Sequence, residues 1–271
     1  MKNFSMKLLV ILSIFGLALA GCAEKFNPSE TLSLADKYNV VIERDHLGVP
    51  HIIGERDVDA AFGFAYAQAE DSWKIIHDSV PFYRGTNAAI NGKEAATVDF
   101  LVQWLGIWDT IESDYETQLK PETHAWIDAF VDGINYYAAL HPEQTDQSVF
   151  PITGQDVVAG YMLRHLLFYG FDASLMELFE PKRQRAISRG PADRDHQARP
   201  IAEGVTIGDL PVGSNAIAVA APFTVDGATR LAINSHQPTT GPVAWYEAHI
   251  QSNEGLDVMG GLFPSSATIG V

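Results

Sequence analysis

The sequence predicts an α+β fold with a helical first part and a strand-rich last part. Apolar residues recur every three or four positions from Asp57 into the 160s. Charged sequence containing proline and glycine, with little periodicity, fills 181–213. Short β-branched runs separated by turn residues follow it. The 271 residues, 46% of them hydrophobic and 19% charged, suffice for a proper core and lack the composition of disordered chain. No internal repeat is visible. A net charge of −16 excludes the basic surface that phosphate backbones require, and the short run Lys182-Arg183-Gln184-Arg185 does not restore one. Nucleic acid is therefore not an expected partner.

Residues 1–21 read as an address. Lys2 and Lys7 precede an apolar stretch, Leu8 to Ala20, which is too short to span a bilayer as a helix. It ends in Leu19-Ala20-Gly21-Cys22, small residues before the only cysteine of the chain, and resembles a bacterial lipobox with Cys22 as the acylated mature N-terminus. An ordinary secretory signal cleaved after Ala20 is the alternative. In the first reading the protein is periplasmic and touches the membrane only through its lipid anchor. Removal of the leader leaves no second cysteine for a disulfide. Residues 22–39, polar and containing Pro28, read as a tether.

Residues 40–180 follow. Val40 to Asp45 is a short β-branched run, Gly48-Val49-Pro50 breaks it, and His51 to Ile53 resumes it, which predicts strand, turn, strand. Val58, Phe62, Ala65, Ala69, Trp73 and Ile76 then mark a helix, with Asp57 suited to its N-cap. A second helix is expected over Val98 to Ile111 with Trp104 and Trp108. A third begins at Pro121 with Trp126, Phe130, Ile134 and Tyr137 on one stripe, and a fourth at Thr153 runs through Val157, Tyr161 and Leu167. These aromatic stripes read as core. After the 181–213 linker, strands are expected over Ser214 to Ala220, Arg230 to Asn234, Ala244 to Ile250 and Leu256 to Met259. Asp226-Gly227 is a turn between the first two.

The chemistry-bearing motifs are few. There is no G-x-S-x-G elbow, P-loop, G-x-G-x-x-G or H-E-x-x-H. His236, Glu247 and His249 lie close in sequence without a metal-ligand spacing, so no metal is assigned. Asp45 and Asp71 are candidates for an acid–base pair. Gly213-Ser214 is the most informative dipeptide, because it stands where the flexible linker meets the first late strand. A serine hydroxyl there can attack the preceding carbonyl, and glycine offers no side chain to obstruct it. An N→O acyl shift and hydrolysis would free Ser214 as a new N-terminus. Its α-amine, with a pKa of about 7.7–8.0, can act as base for its own hydroxyl.

Three groups of residues in order resemble the penicillin acylase family of N-terminal-nucleophile hydrolases. The first is Arg44-Asp45-x-x-Gly48-Val49-Pro50-His51-Ile52 with Phe62-Gly63-Phe64-Ala65-Tyr66-Ala67-Gln68-Ala69-Glu70-Asp71. The second is the processing junction Gly213-Ser214-Asn215. The third comprises Asn234-Ser235-His236-Gln237-Pro238, Trp245-Tyr246-Glu247-Ala248-His249 and Leu256-Asp257-Val258-Met259-Gly260.

The resemblance implies an αββα sandwich and a precursor cut into an α chain (40–180), a released spacer (181–213) and a β chain from Ser214 that stays paired with the α chain. Ser214 would be the nucleophile on a small N-acyl amide, of β-lactam or acyl-homoserine-lactone type, acting through an acyl-ester. His236 would orient the Ser214 hydroxyl or amine, or else be a satisfied core histidine. Histidine at this position is the pattern of acyl-homoserine-lactone and cephalosporin-type acylases, where penicillin G-type acylases carry glutamine. Met162 and Leu166, and with them Trp245 and Tyr246, would border the acyl pocket if they are not core. Arg44 and Asp45 read as a structural pair. No cofactor is expected; family members can bind calcium, but no ligand set is identifiable.

The family's oxyanion donors would lie beyond Val271, and Pro264-Ser265-Ser266-Ala267 departs from the glycine usually found after that proline. The sandwich is therefore expected to be incomplete and the free chain an inactive fragment of a longer enzyme. The rival reading is a lipid-anchored protein that binds a ligand or partner without chemistry.

Overall fold

The computed structural model describes residues 26–168, 213–236, 240–241 and 243–268. Cys22 with the leader, and the linker up to Val212, lie outside the described residues.

β1 (Val40–Arg44) and β2 (Pro50–Gly54) form an antiparallel hairpin in register Val40↔Gly54 to Arg44↔Pro50. β2 then pairs in parallel with β5 (Tyr246–Ser252), and β5 pairs antiparallel with β6 (Asp257–Leu262), giving the sheet order β1-β2-β5-β6. A parallel pair needs a long crossover. Here the crossover is everything between Gly54 and Tyr246, including the helices. β3 (Gly213–Val219) and β4 (Arg230–His236) form a separate two-stranded antiparallel ribbon.

Period-two alternation gives the sheet one dry face. Ile52, Tyr246, Ala248 and Ile250 are buried, while His51, Ile53, Glu247 and His249 on the opposite face are at least partly exposed. The dry face is covered by α2 (Asp57–Arg84). Its run of alanines and Gly63 lets the backbone approach closely: a Cβ on Gly63 would lie 2.6 Å from Val40 and 2.9 Å from Ile52. The N-cap of α2 is Arg56, one residue earlier than the sequence suggests. The Asp59 carboxylate accepts the Arg56 backbone N–H at 2.9 Å, which satisfies a donor the helix cannot. Asp57 instead ties α2 to the far end of β5, accepting from Ser252 and donating its N–H to Glu254 at 2.8 Å. α2 is interrupted at Ser72 and ends at Gly85, whose φ of 64° is the left-handed conformation of a helix C-cap.

α6 (Pro121–Leu140) lies along α2, and Phe64, Phe130, Ile134 and Tyr246 meet in the main core with Trp73, Tyr137 and Phe150. The single helix expected over Val98 to Ile111 is two, α4 (Ala96–Trp104) and α5 (Ile107–Gln118). Gly106 between them has a φ of 62°, and that left-handed residue turns the chain. Short α3 (Asn87–Asn91) precedes them. α7 (Gly154–Phe168) completes the helical layer, anchored where Arg84 meets Asp156 in a bidentate pair at 2.8 and 2.7 Å. Tyr83, Val98, Val102, Ile111 and Leu163 form a second core around α4, α5 and α7.

The stretch read as a tether is folded from Phe26 onward. α1 (Pro28–Leu32) and the 3₁₀ turn Ser33–Lys37 lead to Tyr38, which stacks on Phe62 with ring centroids 4.4 Å apart and donates to Asp132 at 2.7 Å. Polarity hid this, because most of these residues are exposed and Phe26 alone among them packs on the main core.

Contact between α2 and α6 is set by Gly133, where an added Cβ would lie 2.4 Å from the Phe62 carbonyl oxygen and 2.8 Å from Ala65. Backbone cannot yield there. Gly133→Ala is expected to destabilise the chain by about 1–3 kcal/mol through overpacking, read as a lower urea midpoint.

Candidate active site

The β3–β4 ribbon brings two distant sequence motifs together. Its register sets Gly213 opposite His236, Ser214 opposite Ser235 and Asn215 opposite Asn234. Residues directly opposite share a face and neighbours along a strand alternate. Ser214 and Ser235 therefore lie on one face, and Gly213, His236 and Asn215 on the other. His236 Nε2 is 3.0 Å from Asn215 Nδ2, so in the uncut chain its partner is Asn215 and not the Ser214 hydroxyl. Ser214 is exposed. Neither Ser235 nor Asn215 stands out by residue type; their roles follow from the register, which depends on the length of the loop from Ala220 to Thr229.

Trp245 is bound to this ribbon. Its indole N–H donates to Ser235 Oγ at 2.5 Å and its ring stacks on Phe263 at 5.5 Å. It is thus a neighbour of Ser235, the residue paired with Ser214. Tyr246 points the other way into the main core, and its hydroxyl donates to Asp71 at 2.8 Å. Burial, and then the Asp71 carboxylate, push the Tyr246 phenol well above its ordinary range. Met162 and Leu166 are half-buried on α7 and pack against the second core. Position and packing there serve α4 and α5.

Arg44 and Asp45 are both structural, but they do not pair with one another. Arg44 bonds Asp71 at 2.9 Å, Glu70 at 3.0 Å and the Gly48 carbonyl at 3.0 Å. Burial disfavours its charge, but Glu70 and Asp71 outweigh that and hold the guanidinium firmly protonated. Asp71 is therefore shared between Arg44 and Tyr246, and is not placed as an acid–base partner of Asp45. Asp45 caps the turn into β2, accepting the N–H groups of Leu47 at 2.8 Å and Val49 at 2.9 Å. Ser265, where the family pattern has glycine, sits at a φ of 63°, a conformation that favours glycine. Among the described residues, no group of three His, Cys, Asp or Glu side chains is placed to hold a metal ion.

A family model, penicillin amidase, matches residues 39–271. The chain belongs to this family. Among curated relatives, the acyl-homoserine lactone acylase PvdQ of Pseudomonas fluorescens is 28% identical over 94% of this chain and 34% of its own length. Its counterpart in Pseudomonas savastanoi is 26% identical over 90% of this chain and 33% of its own. The penicillin acylase 2 proenzyme of a Pseudomonas species is 35% identical over a shorter stretch, 37% of this chain and 13% of its own. This chain of the penicillin amidase family thus spans about a third of the length of these two lactone acylases. The match runs through both halves of the β2–β5 pair and through the Ser214 ribbon.

Acid should loosen the turn into β2. Desolvation opposes the Asp45 charge, but the Val49 and Leu47 N–H groups, with His46 and His51 nearby, together outweigh it and hold its carboxyl below the ordinary carboxylate range. A depressed folded pKa gives stability that is present above the unfolded value of about 3.9 and lost as pH falls through the folded one. Asp45→Asn should therefore lower the urea midpoint at pH 7 and narrow the difference between pH 7 and pH 3.

Proposed function

We propose that the complete gene product is an amidohydrolase in which Ser214, freed by self-cleavage, is the nucleophile. The register that sets Gly213 opposite His236, inside the segment matched to the penicillin amidase family, supports this most directly. In maturation, Ser214 Oγ attacks the Gly213 carbonyl carbon, and the bond to the Ser214 nitrogen breaks as that nitrogen takes a proton. Water then hydrolyses the resulting ester, leaving a Gly213 carboxylate and a free amine on Ser214.

In turnover that amine, when neutral, accepts the Oγ proton as Oγ attacks the substrate amide. The tetrahedral intermediate collapses, the leaving amine departs with the proton, and water cleaves the acyl-ester to regenerate the hydroxyl. His236, now beside a chain end, orients the Ser214 amine or hydroxyl. Trp245, bonded to Ser235, borders the acyl side. The names of the relatives and the histidine at position 236 favour an acyl-homoserine lactone as substrate over a penicillin.

Ser214→Ala in the complete gene product should abolish both the cut and amide hydrolysis. Mass spectrometry of the wild type should give a fragment beginning at Ser214. A persisting Gly213–Ser214 bond in an active wild-type enzyme would overturn the mechanism, and an uncut, inactive wild type would favour the non-catalytic binder.

We also propose that the mature protein is exported and anchored through acylated Cys22. Cys22→Ser should move the protein from the membrane fraction to the soluble one; unchanged partitioning would leave only a cleaved signal.

A further inference from the structure

The outer face of the four-stranded sheet carries an arrangement with no part in the hydrolytic reading. His51 on β2 and His249 on β5 stand directly opposite in the parallel pair, and their Nδ1 atoms are 3.0 Å apart. The far nitrogen of His249 lies 2.8 Å from the Asp257 carboxylate, and that of His51 lies 4.0 Å from Asp45. The imidazoles thus turn one nitrogen each towards carboxylates and the other towards a common point between the strands. In this chain the His51 and His249 side chains are 32% and 20% exposed. The same register places Glu43 opposite His51 and Met259 opposite His249, so donors of two further kinds flank the pair on its own face.

We propose that His51 and His249 form a two-imidazole site for a divalent transition metal of the copper or nickel class, bound through both Nδ1 atoms. Metal–imidazole bonds of about 2.0–2.1 Å across a 3.0 Å gap subtend an angle of about 95° at the metal. That angle suits neighbouring positions of a square-planar or tetragonal ion. Carboxylates on the far nitrogens are the usual support of metal-binding histidines, fixing the tautomer and raising the basicity of the ligating nitrogen. With only two histidines converging, solvent fills the remaining positions; hard cations such as calcium, which prefer oxygen, are excluded.

The metal-free pair must share a proton, because two nitrogens meet at hydrogen-bond distance only when one carries N–H. Metal binding uses the lone pairs of both Nδ1 atoms, so the intervening proton leaves that position, to solvent where the ring is doubly protonated or to its own Nε2 where it is neutral, while His249 Nε2 keeps Asp257 at 2.8 Å.

The test is titration of the full chain with copper(II) sulfate by calorimetry, with electron paramagnetic resonance of the bound copper. One copper per chain and a signal showing two imidazole nitrogens are expected. His51→Gln and His249→Gln should each weaken binding more than tenfold and reduce the signal to one nitrogen. Asp257→Asn, at an exposed position, should weaken it by about 10–100-fold and serves if either histidine variant fails to fold. An isotherm unchanged in the folded variants would assign the copper to other histidines and overturn the site, as would a wild-type chain that binds no copper.

Discussion

The parallel pairing of β2 with β5 is the constraint on which the rest of the fold rests. His51 and His249 are 198 positions apart, so the chain closes a very long loop to make one strand contact. Such entropy grows only logarithmically with length, but it needs apolar burial to offset it. Tyr246, Ala248 and Ile250 supply that burial on Ile52 and Phe64. Removing the pair would strip α2 and α6 of the surface they cover.

Polar ties reinforce the same junction. Asp71 is held by Arg44 from β1 and by Tyr246 from β5, so one carboxylate is bonded from both sides of the linker. Gln68 on α2 donates to the Ser266 carbonyl at 3.1 Å and accepts the Ser265 N–H at 2.8 Å. Trp126 reaches the Ala267 carbonyl, and Arg164 the Pro264 carbonyl and Ser265 hydroxyl. These bonds do not depend on the covalent link through residues 181–213. A chain cut in that linker keeps every one of them, which makes scission compatible with an intact core.

Local pattern made the elements legible in the sequence. Three-to-four spacing located α2, α6 and α7, and short runs bounded by turn residues located the six strands. What escaped was whatever depends on a single backbone angle or on a remote partner. Gly106 divides α4 from α5, yet Trp104 and Trp108 keep helical spacing across it. Arg44 and Asp45 adjoin in sequence, but on a strand end their side chains diverge, and Arg44 finds its partners on α2. The pairing of His51 with His249 has no sequence spacing at all, because two strands set beside each other by the whole crossover create it. Of the candidate site, motif resemblance named Ser214 and His236, but their placement on opposite faces of the ribbon comes only from its register, and the bond of Trp245 to Ser235 only from the fold. Tyr246 does not border the site, since its place in the alternation turns it into the core.

The ribbon that carries Ser214 differs from the main sheet in a way that bears on the proposed reaction. Ile217, Leu231 and Ile233 are exposed on it, on both faces, and a two-stranded ribbon by itself is at best marginally stable. With the Gly213–Ser214 bond intact, strand geometry holds Ser214 and His236 on opposite faces. Under the proposed scission, Ser214 ceases to be a residue within a strand and becomes a chain end, whose amine is free of the peptide plane and whose N–Cα rotation no longer drags Gly213 with it. The same cut that creates the base thereby lifts the alternation that separates the hydroxyl from the imidazole. Under that proposal maturation and alignment of the site are one event, because the uncut chain lacks the amine base as well as the alignment.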